Sequence, residues 1–293
     1  MGNKLQFSAW NAALIYQESD YQINHQFADA IIQELKNQSI QSKLLILHEN
    51  KKLDLSNYDL IINRTREADF LTNLKPTCKV FNHPIFTKMA NDKFETYKWA
   101  KLNRIKTIST KIYQNEDSKS YSYPAVIKSR DGHGGSEVYK VDNLKALEQL
   151  NQLHQKDKYI IQDYDAKGNR DIRVYIMFNK IFFCVERIAN HNEFRSNFGI
   201  NQNAKRFYLT LKQRLKIKSI IKKLPLGFYS LDFFIHRKNK LVLNEIEDVV
   251  GSRTIYHLKP NINIPKILVS KIVYFLKRPE KLNKFDKPLS IKY

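Results

Sequence analysis

The sequence predicts a mixed α/β fold, in which a small parallel-sheet lobe precedes two lobes that combine helices with antiparallel strands. Near the N-terminus, apolar segments alternate between strand and helix spacing, which is typical of β-α-β units. From Tyr123 onward the apolar segments become longer and come in pairs joined by polar turns, which indicates hairpins. Of the 293 residues, 42% are hydrophobic, so the lobes can bury a core.

The first lobe begins with an apolar strand at residues 13–16. Apolar residues then recur at helical spacing over residues 22–38, and two further apolar strands follow at residues 43–47 and 58–62. Because a helix separates the first strand from the second, we expect the strands to pair in parallel. The first lobe is therefore placed at residues 1–82.

The later lobes are placed at residues 83–158 and 159–280, and residues 281–293 form a basic tail. Helices are predicted at residues 90–103, 144–153, 209–223 and 264–276, and single strands at residues 124–128 and 159–162. Two hairpins are predicted, at residues 171–188 with a turn at Asn179-Lys180 and at residues 229–247 with a turn at Lys238-Asn239.

The composition favours a cytoplasmic protein. The sequence has neither an apolar run long enough to span a membrane nor the start of a signal peptide, so we expect no membrane partner. With only Cys78 and Cys184 present, a disulfide framework and a cysteine-based metal site are both disfavoured. The net charge of +21 favours an anionic macromolecule such as RNA as a partner, and an ordinary lysine-rich surface is the alternative explanation.

Three carboxylates are expected to converge on the second hairpin. A two-residue turn at Lys238-Asn239 places Asp232 opposite Glu245, and Glu247 shares a strand face with Glu245 because side chains alternate. Like charges that oppose each other destabilise a sheet, so a cation must neutralise them, and oxygen ligands suit Mg²⁺ or Mn²⁺. The alternative is an exposed strand face whose acids pair with lysines. A loop of odd length would break the opposition.

Lys128 ends an apolar strand immediately before the stretch Asp131-Gly132-His133-Gly134-Gly135. Glycines let a backbone fold closely over a ligand, and a lysine at the strand end supplies a charge for phosphates. The spacing matches neither a P-loop nor a dinucleotide-binding fingerprint. The stretch is therefore a candidate phosphate-binding loop, in which His133 is interpreted as a loop residue.

The first hairpin carries charged residues on one face. A turn at Asn179-Lys180 places Arg173 opposite Glu186, with Asp171 and Cys184 on the same face. An ion pair between Arg173 and Glu186 accounts for both residues, and a direct ligand role for Arg173 is the alternative. Cys184 is interpreted as a small packed residue.

The order of these elements resembles the ATP-grasp superfamily, and within it the RimK-type glutamate ligases. The resemblance runs from about residue 82 to the end of the closing helix, and five segments carry it. These are residues 124–138, residues 159–164, the hairpin opening Asp171-Ile172-Arg173 and closing Val185-Glu186-Arg187, the loop Phe194-Arg195-Ser196-Asn197, and Asp232 with residues 243–251. Asn91-Asp92-Lys93 also resembles the Asp-Lys that opens the ATP-grasp region.

The resemblance implies an ATP-grasp fold, in which two subdomains hold ATP between them, and an ATP-dependent carboxylate–amine ligase. Gln162-Asp163-Tyr164 would read adenine through its backbone, and Arg195 and Asn197 would act catalytically at the triphosphate and the acyl phosphate. Mg²⁺ would be held by Asp232, Glu245 and Glu247. The implied ATP contacts are Lys93, Lys128, Gln162, Asp163, Tyr164, Asp171, Arg173, Arg195, Ser196 and Asn197.

The sequence departs from the family pattern at three places. The stretch expected to read adenine has Asp163 where Glu is frequent. The last metal position is Glu247 where Asn is usual, so the metal site carries an extra negative charge. The usual Asn-x-x-Pro-Gly ending is replaced by residues 247–253. Because this segment would border the acceptor site, the known substrates of the family are not transferred to this chain.

Arg64 and Arg253 are candidate substrate contacts, and Arg66 is a weaker one. Arg64 and Arg66 follow a strand of the first lobe at its carboxyl end, where ligands gather in open α/β sheets. Arginine suits the recognition of carboxylates, so we expect these residues to orient an anionic substrate. Solvated loop arginines on a basic protein are the alternative.

The implied reaction has two steps. A carboxylate attacks the γ-phosphate of ATP to give an acyl phosphate and ADP, and an amine, which a peptide or protein can carry, then displaces phosphate. The alternatives are an ATP-dependent small-molecule kinase on the same fold and a basic RNA- or ribosome-binding protein with an ATP-grasp shell. The sequence names neither substrate.

Overall fold

The computed structural model describes residues 10–48, 53–71, 74–135, 137–150, 157–164, 170–189, 203–236, 239–285 and 289. Within these ranges the chain forms three β-sheets flanked by helices, as expected for the mixed α/β fold that the sequence predicts. No helix in these ranges is both long enough and apolar enough to cross a membrane.

The first lobe is a parallel sheet with the strand order β2-β1-β3-β4. Its strands are β1 (Asn11–Gln17), β2 (Gln41–Leu47), β3 (Leu60–Asn63) and β4 (Lys79–Phe81). Helix α1 (Glu18–Asn37) connects β1 to β2 and is kinked at Asn24. The predicted β-α-β alternation is confirmed. Strand β4 was not predicted, because three residues are too few to show a strand pattern.

The helix predicted over residues 90–103 is present as α3 (Lys93–Leu102), and a separate helix that was not predicted, α2 (Pro84–Ala90), precedes it. The break occurs because Asp92 caps a new helix. Its carboxylate accepts hydrogen bonds from the backbone N–H groups of Phe94 (2.8 Å) and Glu95 (3.2 Å). This cap fixes the start of α3 at Lys93.

The second sheet is antiparallel and has the order β5-β8-β6-β7. Its strands are β5 (Thr110–Ile112), β6 (Ala125–Ser129), β7 (Val138–Val141) and β8 (Tyr159–Asp163). Helix α4 (Leu144–Glu148) and a 3₁₀ helix (Asn115–Ser120) pack beside it. This lobe has an apolar core of its own, which includes Tyr113, Ile127 and Leu147.

The third sheet is antiparallel, with the order β11-β10-β9-β12-β13. Its strands are β9 (Arg170–Met177), β10 (Lys180–Ile188), β11 (Ala204–Arg206), β12 (Phe228–His236) and β13 (Lys240–Glu247). The remaining described helices are α5 (Leu211–Ile221), α6 (Arg253–Leu258), α7 (Ile264–Leu276) and α8 (Pro279–Phe285).

One apolar core joins the first lobe to the third sheet. Leu14 of β1 and Ile31 of α1 belong to the same buried cluster as Tyr175 of β9, Phe228 of β12 and Ile272 of α7. The second sheet contributes no residue to this cluster among the described residues. The first lobe is therefore anchored on the sheet that carries the acidic strand β13.

Asn82 reinforces this connection with side-chain hydrogen bonds. It follows β4, is only 3% exposed, and bonds to the ends of two strands of the third sheet. Its Oδ1 accepts from the backbone N–H of Phe228 (2.8 Å), while its Nδ2 donates to the backbone oxygens of Phe228 (3.2 Å) and Asp248 (3.1 Å) and to the Asp248 carboxylate. Asn82 thus fixes the segment that immediately follows Glu247.

The close approach of Asn82 to Gly227 gives a testable stability prediction. A Cβ atom at Gly227 would lie 2.8 Å from the Asn82 Cγ and would overlap its Oδ1. Because the Asn82 side chain is held on both sides, Gly227→Ala is expected to lower the free energy of unfolding by about 1–3 kcal/mol. Gly251→Ala is the control, since no atom lies within 4 Å of a Cβ placed there. Equal melting temperatures for the two variants would show that Asn82 can move.

Candidate active site

Asp232 lies opposite Glu245 across strands β12 and β13, as predicted. The pairing arises by a different route from the one expected. The turn places His236 opposite Lys240, which is one residue out of the predicted register. An extra residue in β13, Asn244, has no partner on β12 and restores the predicted register at Glu245. The one-residue difference in register at the turn and the extra residue at Asn244 therefore cancel, and Asp232 still lies opposite Glu245.

The predicted pairing of Arg173 with Glu186 is wrong. The turn lies at Phe178-Asn179 and not at the predicted Asn179-Lys180, because Met177 pairs with Lys180, so the register near the turn differs by two residues from the predicted one. A bulge at Phe182 in β10 reduces this difference to one residue, and Arg173 therefore lies opposite Val185. Glu186 instead bonds Arg170 (2.9 Å) and Lys205 (3.2 Å). Arg173 is left to interact with the neighbouring strand β12, where it lies opposite Asp232.

Two arginines, the partly buried Arg173 and the buried Arg187, hold the acids of the third sheet. Arg173 donates from Nε (2.9 Å) and Nη2 (2.7 Å) to the two oxygens of Asp232, and its Nη1 contacts Glu247. Arg187 donates from Nε (2.7 Å) and Nη2 (2.5 Å) to Asp171, and Nη2 also reaches Asp232 (2.7 Å). Such paired, hydrogen-bonded charges are how a buried acid is compensated. The protein itself therefore supplies much of the neutralising charge that the acids require.

The arginines affect the two acids differently. Although burial acts to raise the pKa of Asp232, the charges of Arg173 and Arg187 hold it below its ordinary value. Burial raises the pKa of Glu247, and the charge of Arg173 does not fully offset this rise. The extra negative charge that the sequence places at Glu247 is thus only partly compensated by its own neighbours.

Glu245 faces a second pair of cations, Lys128 and Lys93. Lys128 is 7% exposed, and its Nζ donates to the Asn244 side chain at 3.1 Å. Burial lowers the pKa of Lys128 to about 8, against the opposing effect of Glu245. Burial acts to raise the pKa of Glu245, but the charges of Lys128 and Lys93 bring it below its ordinary value. Lys128 of the second sheet thus contacts Asn244 of the third, and its charge acts on the neighbouring Glu245.

The oxygens that remain for a metal ion are those of Glu245 and Oε1 of Glu247, since Oε2 of Glu247 contacts Arg173. Both oxygens of Asp232 accept from arginines, whereas no hydrogen bond to the Glu245 carboxylate is formed within the described ranges. In the same ranges no group of three His, Cys, Asp or Glu side chains is arranged so that it could hold a metal ion by itself. Mg²⁺ is typically bound by one or two carboxylates together with phosphate oxygens. Glu245 and Glu247 fit a magnesium ion of that kind, and a metal-ligand role for Asp232 stays a prediction.

The glycine loop after β6 is held by Lys93 at the start of α3. The Lys93 Nζ donates to the backbone oxygen of Gly132, and its backbone N–H donates to that of Arg130 (3.0 Å). Gly134 and Gly135 have positive φ angles of 68° and 84°, which other residues rarely adopt. Burial, with the charges of Arg66 and Lys93, lowers the pKa of His133 to about 4, so this imidazole is neutral at pH 7. The loop therefore lies beside Lys93.

The residues expected at the adenine lie at the end of β8. The Gln162 side chain donates to Thr110 at 2.8 Å, and the backbone N–H of Tyr164 donates to Pro124 at 3.2 Å. Asp163 is exposed. These backbone positions border the second sheet, and their role in binding adenine stays a prediction. Arg195, Ser196 and Asn197 lie outside the described residues.

The three candidate substrate arginines differ in their surroundings. Arg66 forms an ion pair with Asp20 of α1, so its charge is already compensated. Arg64 is 6% exposed, and its Nη2 donates to the backbone oxygen of Val250 at 2.9 Å. Arg253 is exposed at the start of α6 and lines the same cavity as Arg64. The structure thus brings Arg64 and Arg253 together and leaves Arg66 apart.

Arg187 and Asn244 are the residues of this site that the sequence reasoning missed. Arg187 lies directly opposite Asp171, a relation that the predicted register of the first hairpin concealed. Asn244 contacts Lys128 only because it occupies the bulge in β13. A search for oppositely charged residues on neighbouring strands, made over several registers, would have found Arg187. No sequence signal indicates the role of Asn244.

Proteins similar to this chain are known both by sequence and by fold. A family model described as the RimK-like ATP-grasp domain matches residues 90–272. The uncharacterized protein MG011 of Mycoplasma genitalium is 34% identical over 94% of this chain and 96% of its own length. The alpha-aminoadipate–LysW ligase LysX of Saccharolobus solfataricus is 29% identical over 82% of this chain and 92% of its own. A RimK domain ATP-grasp protein of Sphaerobacter thermophilus has the same fold, with a TM-score of 0.67 and 13% identity over 89% of this chain and 98% of that one.

Proposed function

This chain belongs to the RimK-like ATP-grasp family of carboxylate–amine ligases, and on that premise we propose that it joins a carboxylate to an amine through an acyl phosphate, with ATP and Mg²⁺. The observation that carries the proposal is the meeting of Lys128 and Lys93 with Glu245 at the cleft between the second and third sheets. Phosphates need cations and a metal site together, and this cleft offers both. The cytoplasm, which supplies ATP, is the proposed location.

The proposed residue roles follow from the charges in the cleft. Lys93 and Lys128 bind phosphate oxygens of ATP, and the glycine loop covers them. Glu245 and Glu247 hold Mg²⁺, with Asp232 as a third candidate ligand and Mn²⁺ as the alternative ion. When bound, the metal supplies positive charge that offsets the negative charge developing on the transferred phosphoryl group. Lys128 lies where it can share that task.

The remaining proposed contacts rest on the resemblance. Arg195, Ser196 and Asn197 act at the triphosphate and the acyl phosphate, and Gln162, Asp163 and Tyr164 border the adenine. Asp171 and Arg173 act at the nucleotide side of the third sheet, where Arg187 holds Asp171 and Arg173 holds Asp232. Residues 83–158 and 159–280 are the two subdomains that enclose ATP. Arg64 and Arg253 orient a substrate at the far side of β13.

An ADP-release assay over a panel of carboxylates and amines, followed by mass spectrometry, tests the proposed function. We expect one carboxylate–amine pair to give ADP, phosphate and an amide in equal amounts. ADP together with a stable phosphorylated product, and no amide, would identify a kinase instead. Absence of ADP with every pair would favour a binding protein that keeps the ATP-grasp shell.

A further inference from the structure

A cavity of about 470 Å³ lies between helix α1 and the segment that follows β13. This volume lies within the ~300–1,000 Å³ that is typical of small-molecule sites. Much of its wall is apolar, and the apolar side chains are Ile23, Phe27, Ala30, Val250, Tyr256 and Pro265. The cavity therefore offers a surface for a ligand with an apolar part.

Arg64 is the buried charge in the wall of this cavity. Its guanidinium lies 5.8 Å from the ring of Phe27 and 5.7 Å from that of Phe228, so aromatic rings cover it. Nη2 donates to Val250, but Nε and Nη1 find no acceptor anywhere in the described part of the chain. Arg64 forms no ion pair there: the Asp248 carboxyl, whose pKa its charge lowers, binds Asn82 through Oδ1, and Asp248 Oδ2 lacks a hydrogen-bond partner in the same ranges. Buried donors without acceptors are rare and costly, which indicates an acceptor supplied by a ligand.

The chemistry of Arg64 indicates that the acceptor on the ligand is a carboxylate. A charged donor group surrounded by aromatic rings favours an anion with several oxygen acceptors. A carboxylate held in this way is stabilised as an anion and is a poor nucleophile, so it is the non-reacting end of its molecule. The opposite end of the molecule is the one that reacts. Its distance to the candidate metal site is short, because Val250 in the cavity wall follows Glu247 by three residues, which span at most ~10 Å.

We propose that the cavity binds the amine substrate, and that this substrate is an amino acid with an apolar side chain. Arg64 holds its carboxylate, and the apolar wall accepts its side chain. Its amine attacks the carbonyl carbon of the acyl phosphate: a C–N bond forms, the C–O bond to phosphate breaks, phosphate leaves with the electron pair, and the amine loses a proton. This inference rests on the proposed function and adds the class of the amine substrate.

An acidic side chain fits the cavity less well than an apolar one. Arg253 is the charged residue at the rim that a second carboxylate could reach, and it is exposed to solvent. Exposed ion pairs contribute little to affinity because water and salt screen them. The wall also contains four polar residues, Asn24, His25, Gln26 and Ser252, whereas an acidic group that lies against the six apolar side chains has no hydrogen-bond partner there.

Calorimetric titration of the full chain with leucine and with leucinamide tests the role of Arg64 directly. Leucinamide lacks the carboxylate, so the wild-type protein is expected to bind leucine at least ~10-fold more tightly. In Arg64→Met this preference is expected to fall to about 2-fold or less, because the charged donors are gone. Arg214→Met makes the same substitution on the exposed face of α5 and is expected to keep the wild-type preference.

Folding of the variant is checked by its melting temperature. Arg64→Met removes the two nitrogens that lack acceptors but also the hydrogen bond from Nη2 to Val250, so its melting temperature is expected to stay close to that of the wild type. A Phe27→Ser variant tests the apolar wall: it is expected to weaken leucine binding and leave glutamate binding unchanged. Both enantiomers of each amino acid are titrated.

The outcomes separate this inference from the proposed function. Tighter binding of glutamate than of leucine, or an unchanged leucine preference in Arg64→Met, would overturn the inference even if the protein forms an amide from other substrates. Arg64-dependent binding of leucine without ADP release from any substrate pair would instead overturn the proposed ligation. Amide formation with leucine or phenylalanine as the amine, lost in Arg64→Met, would support both.

Discussion

Glu245→Gln is expected to lower ADP formation by at least ~100-fold while the protein stays folded. The Glu245 carboxylate faces Lys128 and Lys93 and accepts no hydrogen bond within the described residues, so its charge is free for a metal ion. Glutamine preserves the shape but removes that charge. Since no protein hydrogen bond to the carboxylate is lost, the melting temperature is expected to stay close to that of the wild type.

The measurement is the rate of ADP formation as a function of Mg²⁺ concentration, together with the binding of Mn²⁺–ATP by titration calorimetry. Glu148→Gln changes an exposed acid of α4 in the same way and serves as the control. A Glu245→Gln protein with wild-type turnover and wild-type affinity for Mn²⁺–ATP would remove this acid from the metal site. The role of Glu247 would then have to be tested alone.

Lys128→Ala is expected to raise the KM for ATP by at least ~30-fold, because it removes a buried charge at the phosphate end of the cleft. Burial lowers the pKa of Lys128 to about 8, so the fold works against keeping this lysine charged. Because the alanine also removes the hydrogen bond to Asn244 and a charge that offsets Glu245, the melting temperature of the variant is measured beside its KM. Lys111→Ala, an exposed lysine of β5, is the control and is expected to leave the KM unchanged.

The same lysine gives a pH dependence with a definite sign. A lysine carries its charge below its pKa and loses it above, so kcat/KM for ATP is expected to fall as the pH rises through about 8. In Lys128→Arg the guanidinium stays protonated over this range, and the fall is expected to disappear. A wild-type profile that is flat between pH 7 and 9, or a fall that persists in Lys128→Arg, would show that another group controls ATP binding.

The sequence allowed the elements of the fold to be predicted where their periodicity was strong. The parallel first lobe and both hairpins are present, because alternating apolar residues fix which face of a strand is buried. Local geometry could not be predicted. The bulges at Phe182 and Asn244 shift the register by one residue, and nothing in the neighbouring sequence marks them. Helix α2 was not predicted, and α3 begins three residues later than predicted because the Asp92 side chain caps it at Lys93.

The site was predicted to a different extent on each side of the cleft. Lys128 and Glu245 could be found from strand ends and alternation, and the structure brings them together. Arg187 could not be found in this way, because it lies opposite Asp171 only as a result of the bulge at Phe182. The cavity at Arg64 depends on packing between the first lobe and the third sheet, which the sequence does not encode locally. An anionic macromolecular partner for the charge of +21 stays a prediction.

The shared core of the first lobe and the third sheet determines which part of the molecule can move. A rotation of the first lobe would expose that core and break the Asn82 hydrogen bonds. The second sheet has its own core, and it contacts the rest of the molecule through polar pairs such as Lys128 with Asn244 and Arg130 with Asp92. Polar contacts can exchange with water at little net cost. We therefore expect the second sheet to move more readily than the first lobe: such a movement would admit ATP and withdraw Lys128 from Asn244, and would leave the cavity at Arg64 unchanged.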